Sequence, residues 1–540
     1  KIQLRLKARK QSATAPNTAA LATPLLLALQ SEPEPRLRMW RRCNKRGRAL
    51  SFRRQFSTET TFESLLRDMR ERTLTAPNRC PPSLLRTVHE RFWKLSEDAE
   101  KQQFFVEAVK ILGVRRDTLA QAQEVLNNVR FSGAESDALE HLEDVMRLRK
   151  EMKPLYEEIF EGIAREIPGG CRSVVQMRGE VLRLAGKLRR AASAQAANSR
   201  EDILALRALR DLDEGMRQLL CTWFSVGNLD LRRLTYETAS GAVLEQIARR
   251  EAVHPIRTLS ELKTRLGPGR RCYAFFHPSM PSDPLAFVHV ALVPDIARSM
   301  EYINRSTGEE ELEGRAQCAI FYSITSALPG LHGVELGNVL IKRVVSLLYS
   351  DAPRLETFVT LSPMPGLRHW LETTLENDPE SEALKEILQP DDAQQLQSLA
   401  GKLGLLGFLD GMGATRSSEL LLRILQSLDH TALSEARSGE NGLVHATIRP
   451  ILLRLARMYI MKEKKSGSLR ALDPVANFHL RNGALVESIN WAADPSLQGW
   501  KNSYGLMVNY LYELDGIEGR SHAYSIYGDV TVSSSLEQAA

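Results

Sequence analysis

Apolar positions fall into two regimes along the chain. From about 60 to 222 they recur at three- and four-residue spacing with charged faces opposite, the period of amphipathic helices. Leu139, Leu142, Val145 and Met146 make one stripe; Val181, Leu184 and Leu188 make another. Ser132-Gly133, Pro154 and Pro168-Gly169-Gly170 punctuate the pattern. A helical bundle is expected there, for scaffolding or oligomer contacts, with no cluster of catalytic spacing. Near Trp223 the texture changes: 228–234 reads as a strand, 242–250 as a helix, and 272–276 and 285–293 as strands. The run 285–293 is almost continuously apolar, so both faces should be buried, with His289 as a hydrogen-bonded core histidine. Residues 299–317 are polar and acidic and read as a surface loop joining two strands. Helix returns over 371–470, with a glycine-interrupted apolar piece at 401–413 and an exposed link at 462–467. A second mixed region follows. In it His479 ends a strand-like stretch before the turn Arg481-Asn482-Gly483, and 484–491 and 504–512 close the pattern.

The stretch 319–370 organises the second half. A short apolar strand at 319–324 leads to a helix marked by Leu336, Leu340, Val344 and Leu347, then to a strand at 357–361. A unit of this length predicts a parallel, right-handed crossover, with ligands at the carboxyl ends of its strands. Two features fall there. One is the loop His332, Gly333, Val334, Glu335, Leu336, Gly337 and Asn338, which opens the helix. Backbone N–H groups at a helix start, together with the helix dipole, suit an anion such as a pyrophosphate, although an ordinary strand-to-helix turn has the same pattern. The other is Ser362, held before Pro363-Met364-Pro365-Gly366. A hydroxyl on so stiff a turn suits orientation of a carboxylate or nucleophilic attack, and equally plain turn chemistry. His479 is the side chain suited to proton transfer near neutral pH, or else a surface or core histidine. The sequence has no GxSxG elbow, no HExxH or HxH and no Cys/His cluster, so hydrolase and metal chemistry have no support.

Composition adjusts this picture in two places. At 540 residues, 43% apolar and 26% charged, the chain reads as an ordinary soluble globular protein, and no eighteen-residue apolar run predicts a membrane span. The net charge of +6 arises at one end: residues 1–57 hold 14 Lys/Arg and 2 Glu, which is +12, leaving −6 for the remainder. No nucleic-acid partner is therefore expected. Residues 36–56 carry nine Lys/Arg and no acid, the composition of a mitochondrial transit peptide, and Arg54-Gln55-Phe56-Ser57 resembles its cleavage site. Met39 is a candidate start. A matrix location is expected, with a cytoplasmic one as the alternative; the ending Leu-Glu-Gln-Ala-Ala is not a peroxisomal address. Six scattered cysteines without a CxxC read as reduced thiols. The expected organisation is α+β: a leader over 1–57, a helical oligomerisation domain over 58–222 and a mixed α/β catalytic domain over 223–540.

Over about 60–512 the chain resembles the malonyl-CoA decarboxylase family. The matching motifs are Arg271-Cys-Tyr, His289-Val-Ala-Leu292, Ile320-Phe-Tyr-Ser323, Gly333-Val-Glu-Leu-Gly337, Leu340-Ile-Lys-Arg-Val-Val345, Leu361-Ser-Pro-Met-Pro-Gly366, Asn477-Phe-His-Leu-Arg-Asn-Gly-Ala484, Ile489-Asn-Trp491 and Gly505-Leu-Met507, in order. The resemblance implies a helical bundle followed by a catalytic domain similar to the acyl-CoA N-acetyltransferases, with loop 332–338 against the CoA pyrophosphate. Glu335 stands where the first glycine of that fold's GxG would be. The implied reaction takes malonyl-CoA to acetyl-CoA and CO2, in fatty acid metabolism, with no metal, biotin or pyridoxal cofactor. The implied roles are Ser362 holding the malonyl carboxylate and His479 protonating the α-carbon, with Glu335 and Tyr512 in support. A homotetramer built through the helical domain is also implied. The cysteine of an inter-subunit disulfide in animal relatives would fall near Ser240-Gly241, where this chain has none. Two other readings are an acyl-CoA N-acetyltransferase, which needs an amine acceptor, and a non-enzymatic CoA-sensing or scaffold protein.

Overall fold

The computed structural model describes residues 61–538, apart from 76–79, 115, 129–141, 194–198, 306–312, 380, 406–416 and 430–441. The leader, Leu139, Ser132-Gly133 and most of the glycine-interrupted piece lie outside the described residues. Residues Thr60–Ala540 form one compact unit.

Among the described residues the helical period yields eight α-helices before the first strand: α1 (Phe62–Thr75), α2 (Pro82–Lys94), α3 (Asp98–Leu112), α4 (Arg116–Asn128), α5 (Leu142–Glu151), α6 (Leu155–Glu166), α7 (Gly170–Ser193) and α8 (Arg200–Trp223). Local chemistry sets several of their starts. Pro82 occupies the first turn of α2, Pro154 precedes α6, and Ser199 accepts from the Asp202 N–H to cap α8. The stripe on α7 faces the core, with Val181 and Leu184 buried. The stripe on α5 does not: Leu142, Val145 and Met146 are exposed, and Leu148 is the buried residue of that helix. Spacing says which side chains share a face, but not that the face meets the core.

The mixed region is built on one eight-stranded sheet: β1 (Asp230–Leu234), β2 (Arg270–Phe276), β3 (Ala286–Val293), β4 (Cys318–Ser326), β5 (Thr357–Thr360), β6 (Ser362–Pro363), β7 (Leu485–Asn490) and β8 (Met507–Leu511). β1 to β4 run antiparallel in sequence order; β4 and β5 are parallel; β8 pairs antiparallel with β5, β6 and β7. Helices α9 (Gly241–Arg250), α10 (Leu259–Leu266) and α11 (Met300–Arg305) join the first strands. α11 corrects the loop expected over 299–317. The crossover helix α12 (Leu336–Asp351) buries Leu336, Leu340 and Val344, while Leu347 is 37% exposed. Helices α13 (Leu367–Asn377), α14 (Glu382–Ile387), α15 (Pro390–Lys402), α16 (Ser417–Ser427) and α17 (Gly442–Met461) precede α18 (Pro474–Arg481); α19 (Leu497–Ser503), α20 (Ile517–Tyr527) and α21 (Ser534–Gln538) follow.

Two further expectations change. The stretch before His479 is the helix α18, not a strand: Pro474 lies in its first turn, and the Asp473 carboxylate accepts from the N–H groups of Val475 and Ala476. His289 is buried in β3 as expected, but neither ring nitrogen makes a hydrogen bond. Glu251 Oε2 stands 3.5 Å from its Nε2, the ring stacks on Tyr322, and burial pushes its pKa down to about 4.

Candidate active site

The sheet opens where the crossover turns. β4 and β5 stay in register from Cys318–Thr357 to Phe321–Thr360, and the Leu361 N–H donates to the Phe321 carbonyl. β4 continues to Ser326 without β5 beside it, and its register with β3 shifts between His289 and Val290, opposite Ser323 and Phe321. A cavity of about 640 Å3 fills the gap. Its walls are β4 residues 321–326, the loop 331–338, Ser362 and Pro363 after β5, and Val475, Phe478, His479 and Arg481 of α18.

At the buried end three expected residues meet. His479 Nε2 lies 3.0 Å from Ser362 Oγ, and His479 Nδ1 lies 2.8 Å from the Tyr512 hydroxyl. Ser362 Oγ donates to Thr360 Oγ1 at 2.9 Å. One tautomer satisfies the chain: Tyr512 O–H donates to Nδ1, Nε2–H donates to Ser362, and Ser362 donates to Thr360. Tyr510 stacks on the imidazole, with ring centres 4.6 Å apart. Burial lowers the His479 pKa to about 3 and raises that of Tyr512 well above its ordinary value. Both groups are therefore neutral near pH 7.

At the open end is the loop. Gly333 takes φ +76°, and the Leu336 N–H donates to the Val334 carbonyl at 2.7 Å; Glu335 is the N-cap of α12 without a side-chain cap bond, so the next N–H groups of the first turn are not capped by it. Gly337 gives room to the Phe478 ring, which a Cβ would approach to 3.0 Å. Asn338 accepts from Asn482 of the α18 C-cap. Glu335 does not join the Ser362–His479 pair. Its half-exposed carboxylate accepts from Arg481 at 2.6 Å and is neutralised there. Arg470 adds positive charge to the lining, and Arg217 of α8, also in the wall, is paired with Glu214 at 2.7 Å. His332 and Gly333 are exposed, Val334 and Leu336 buried.

Several contributors escape a reading of motifs. Thr360 and Tyr510 hold Ser362 and His479, and each stands two residues from a flagged position, Ser362 and Tyr512. Strand alternation puts such pairs on one face, and that is the signal that would have found them. Ser323 lines the cavity and donates to both oxygens of buried Glu251, 72 residues away, for which the sequence offers no local signal. Among the described residues no group of three or more His, Cys, Asp or Glu could hold a metal ion, and no helix is long and apolar enough to cross a membrane.

Comparison with known proteins places this geometry. Residues 227–540 match the profile of the malonyl-CoA decarboxylase C-terminal domain, and 117–224 that of its N-terminal domain. Mitochondrial malonyl-CoA decarboxylase of Mus musculus is 35% identical over 435 residues, covering 80% of each chain. That of Anser anser anser is 35% identical over 414 residues, covering 76% of this chain and 74% of its own. Crystal structures of malonyl-CoA decarboxylases from Agrobacterium vitis and Rhodopseudomonas palustris superpose with a TM-score of 0.67 each, at 28% and 29% identity. Each covers 88% of this chain and 99% of its own.

Proposed function

The chain belongs to the malonyl-CoA decarboxylase family, and from that premise we propose that the buried Ser362–His479–Tyr512 array breaks the malonyl carbon–carbon bond. The activity is that of a carboxy-lyase acting on malonyl-CoA. Loop 332–338 takes the pyrophosphate end of CoA at the start of α12, with Arg217 and Arg470 beside it. The thioester then reaches inward along β4. Ser362 orients the terminal carboxylate. The bond to that carboxylate breaks, its electron pair passes to the thioester as an enolate, CO2 leaves, and His479 gives the α-carbon a proton. The thioester carbonyl is the electron sink, so the step as drawn needs no cofactor. Backbone N–H groups on the stretch of β4 that has no β5 beside it, facing away from β3, are the donors for the enolate oxygen; one good donor of this kind contributes about 3–4 kcal/mol. Glu335 acts through Arg481, setting that side chain at the cavity mouth.

One observation carries the reading: Ser362 and His479, 117 residues apart, stand 3.0 Å apart and buried at the closed end of a cavity whose mouth is an uncapped helix start. Malonyl-CoA supplied alone, with no amine acceptor, should yield acetyl-CoA and CO2; a requirement for an acceptor would point to an acetyltransferase instead. His479→Asn should slow that turnover by about 100-fold or more while acetyl-CoA binding changes little. Turnover at the parent rate would exclude His479 as the proton donor. The same reading takes 58–222 as a helical oligomerisation domain of a homotetramer, 223–540 as the catalytic domain and 1–57 as the leader to the mitochondrial matrix, in the service of fatty acid metabolism. Light scattering and N-terminal sequencing of the organellar protein test those assignments.

A further inference from the structure

A second cavity, of about 1080 Å3, adjoins the first. Val253 and Tyr322 line both. The rest of its wall comes from the segment 252–265, Arg270 of β2, α11 and the segment 494–501. Nothing in the proposed decarboxylation uses it.

Its charge is one-sided. Arg305 pairs with Glu301 on α11. The other charged groups of the wall are Arg257, Arg265, Arg270 and Lys501 against Glu261 and Asp494. Both of these carboxylates accept from nearby backbone: Glu261 from the Arg257 N–H at 2.8 Å, Asp494 from the Ser496 N–H at 3.1 Å. Three nitrogens are buried here without a hydrogen-bond partner: Nη1 of Arg270, Nη1 of Arg265 and Nε2 of His254. Arg270 is only 2% exposed, and its other terminal nitrogen donates to the Ile303 carbonyl. Burial, and then the charge of Arg265, lower its pKa from the usual guanidinium value. A charged donor is not left buried and unpaired without cost. Water would satisfy the hydrogen bonds but not the surplus charge; an anion satisfies both. An ammonium acceptor would meet the same surplus as repulsion, so the charge also disfavours an amine beside the thioester.

We propose that this second cavity binds a small phosphate- or carboxylate-bearing metabolite, gripped by Arg265 and Arg270 with Lys501 at the rim. The proposal does not rest on the decarboxylase reading.

The test uses the full chain saturated with acetyl-CoA, so that the first cavity is filled, and titrates inorganic phosphate and citrate separately by calorimetry. At least one probe should bind saturably with a Kd below about 1 mM, and which one binds identifies the anion as phosphate or carboxylate. Arg265→Gln should weaken that binding tenfold or more, and Lys501→Glu should abolish it, with malonyl-CoA turnover in the absence of added anion unchanged in both. Absence of binding up to about 10 mM would overturn the proposal. So would equal affinity in the parent and Lys501→Glu, an exposed position that settles the matter if Arg265→Gln does not fold. If acetyl-CoA itself fails to bind, the dependence on Arg265 and Lys501 still identifies the site, so failure of the decarboxylase reading is told apart from failure of this one.

Discussion

His479 is neutral near pH 7 because burial pushes its pKa down to about 3. Decarboxylation of a malonyl thioester consumes one proton, and if His479 delivers it, that proton must arrive with or after the substrate. A carboxylate placed against Ser362 supplies an opposite charge, and raises the pKa of the imidazole 3.0 Å away from that hydroxyl. Binding of a malonyl-CoA analogue that cannot lose CO2 should therefore take up close to one proton at pH 7. Calorimetry in buffers of different ionisation enthalpy measures this; equal uptake by His479→Asn would locate the proton elsewhere. The same shift has a consequence for stability. The folded-state pKa lies below the unfolded value of about 6.5, so between the two the unfolded chain binds more protons. Stability is then lost as pH falls from about 6.5 toward 3, by up to about 1.4 kcal/mol per pH unit for this one proton. His289, pushed down to about 4 by burial, adds a loss of the same sign. Urea unfolding followed across that range should show a shallower decline for His479→Gln than for the parent.

The helix α18 is what brings His479 to Ser362, and its start depends on one side chain. Buried Asp473 accepts from the N–H groups of Val475 and Ala476 at 2.9 and 2.8 Å, and from the Tyr459 hydroxyl at 3.3 Å. Replacing an N-cap acid by alanine costs roughly 0.5–2 kcal/mol. Asp473→Ala should destabilise the protein by about that amount in denaturant unfolding, and should also lower kcat, because His479 lies in the last turn of the helix it anchors. A stability loss with kcat intact would mean that α18 keeps its place without the cap. This element also marks the limit of the sequence. Its eight residues give too short an apolar pattern to choose between periods of two and 3.6, and the Asp-Pro start signal outweighs that pattern once the fold is formed. The crossover was legible because its sixteen-residue helix is long enough to declare its period, and the apolar runs on either side are short and bounded by turn signals. Ser362 and His479 were legible as residue types at stiff or turn-like positions. Their meeting was implied by the family resemblance alone and not by the local pattern, since it depends on β8 returning beside β5 and β6 and presenting Tyr510 and Tyr512 to the imidazole. Glu335 was legible as part of the loop, yet its partner Arg481 lies 146 residues away.

At the scale of the whole molecule, the helical region reaches the loop 332–338 directly. The 3-10 turn Pro329–Leu331, which leads into loop 332–338, packs on α7. Arg178 of α7, almost fully buried, donates to the Gly330 carbonyl at 2.6 Å and to Asp213 of α8 at 2.9 Å. Gly330 lies so close to α7 that a Cβ there would sit 1.7 Å from the Val175 carbonyl oxygen, whereas a Cβ at the facing Gly179 would meet the Gly330 nitrogen at an ordinary 3.5 Å. The obstacle is backbone on a packed helix, so an added methyl must displace the turn, and with it the start of α12. If the loop's task is to hold the CoA phosphates, that displacement falls on binding more than on the chemistry at Ser362 and His479, deeper in the cavity. Gly330→Ala should therefore raise the KM for malonyl-CoA and the Kd for acetyl-CoA by tenfold or more, about 1.4 kcal/mol, with kcat reduced less. Gly227→Ala, where a Cβ meets nothing within 4 Å, is the matched control and should leave both constants at parent values. A fall in kcat with KM unchanged would place the function of this contact at the reacting atoms instead of the loop. Equal constants in Gly330→Ala and the parent would mean that the helical region braces the loop without setting its geometry.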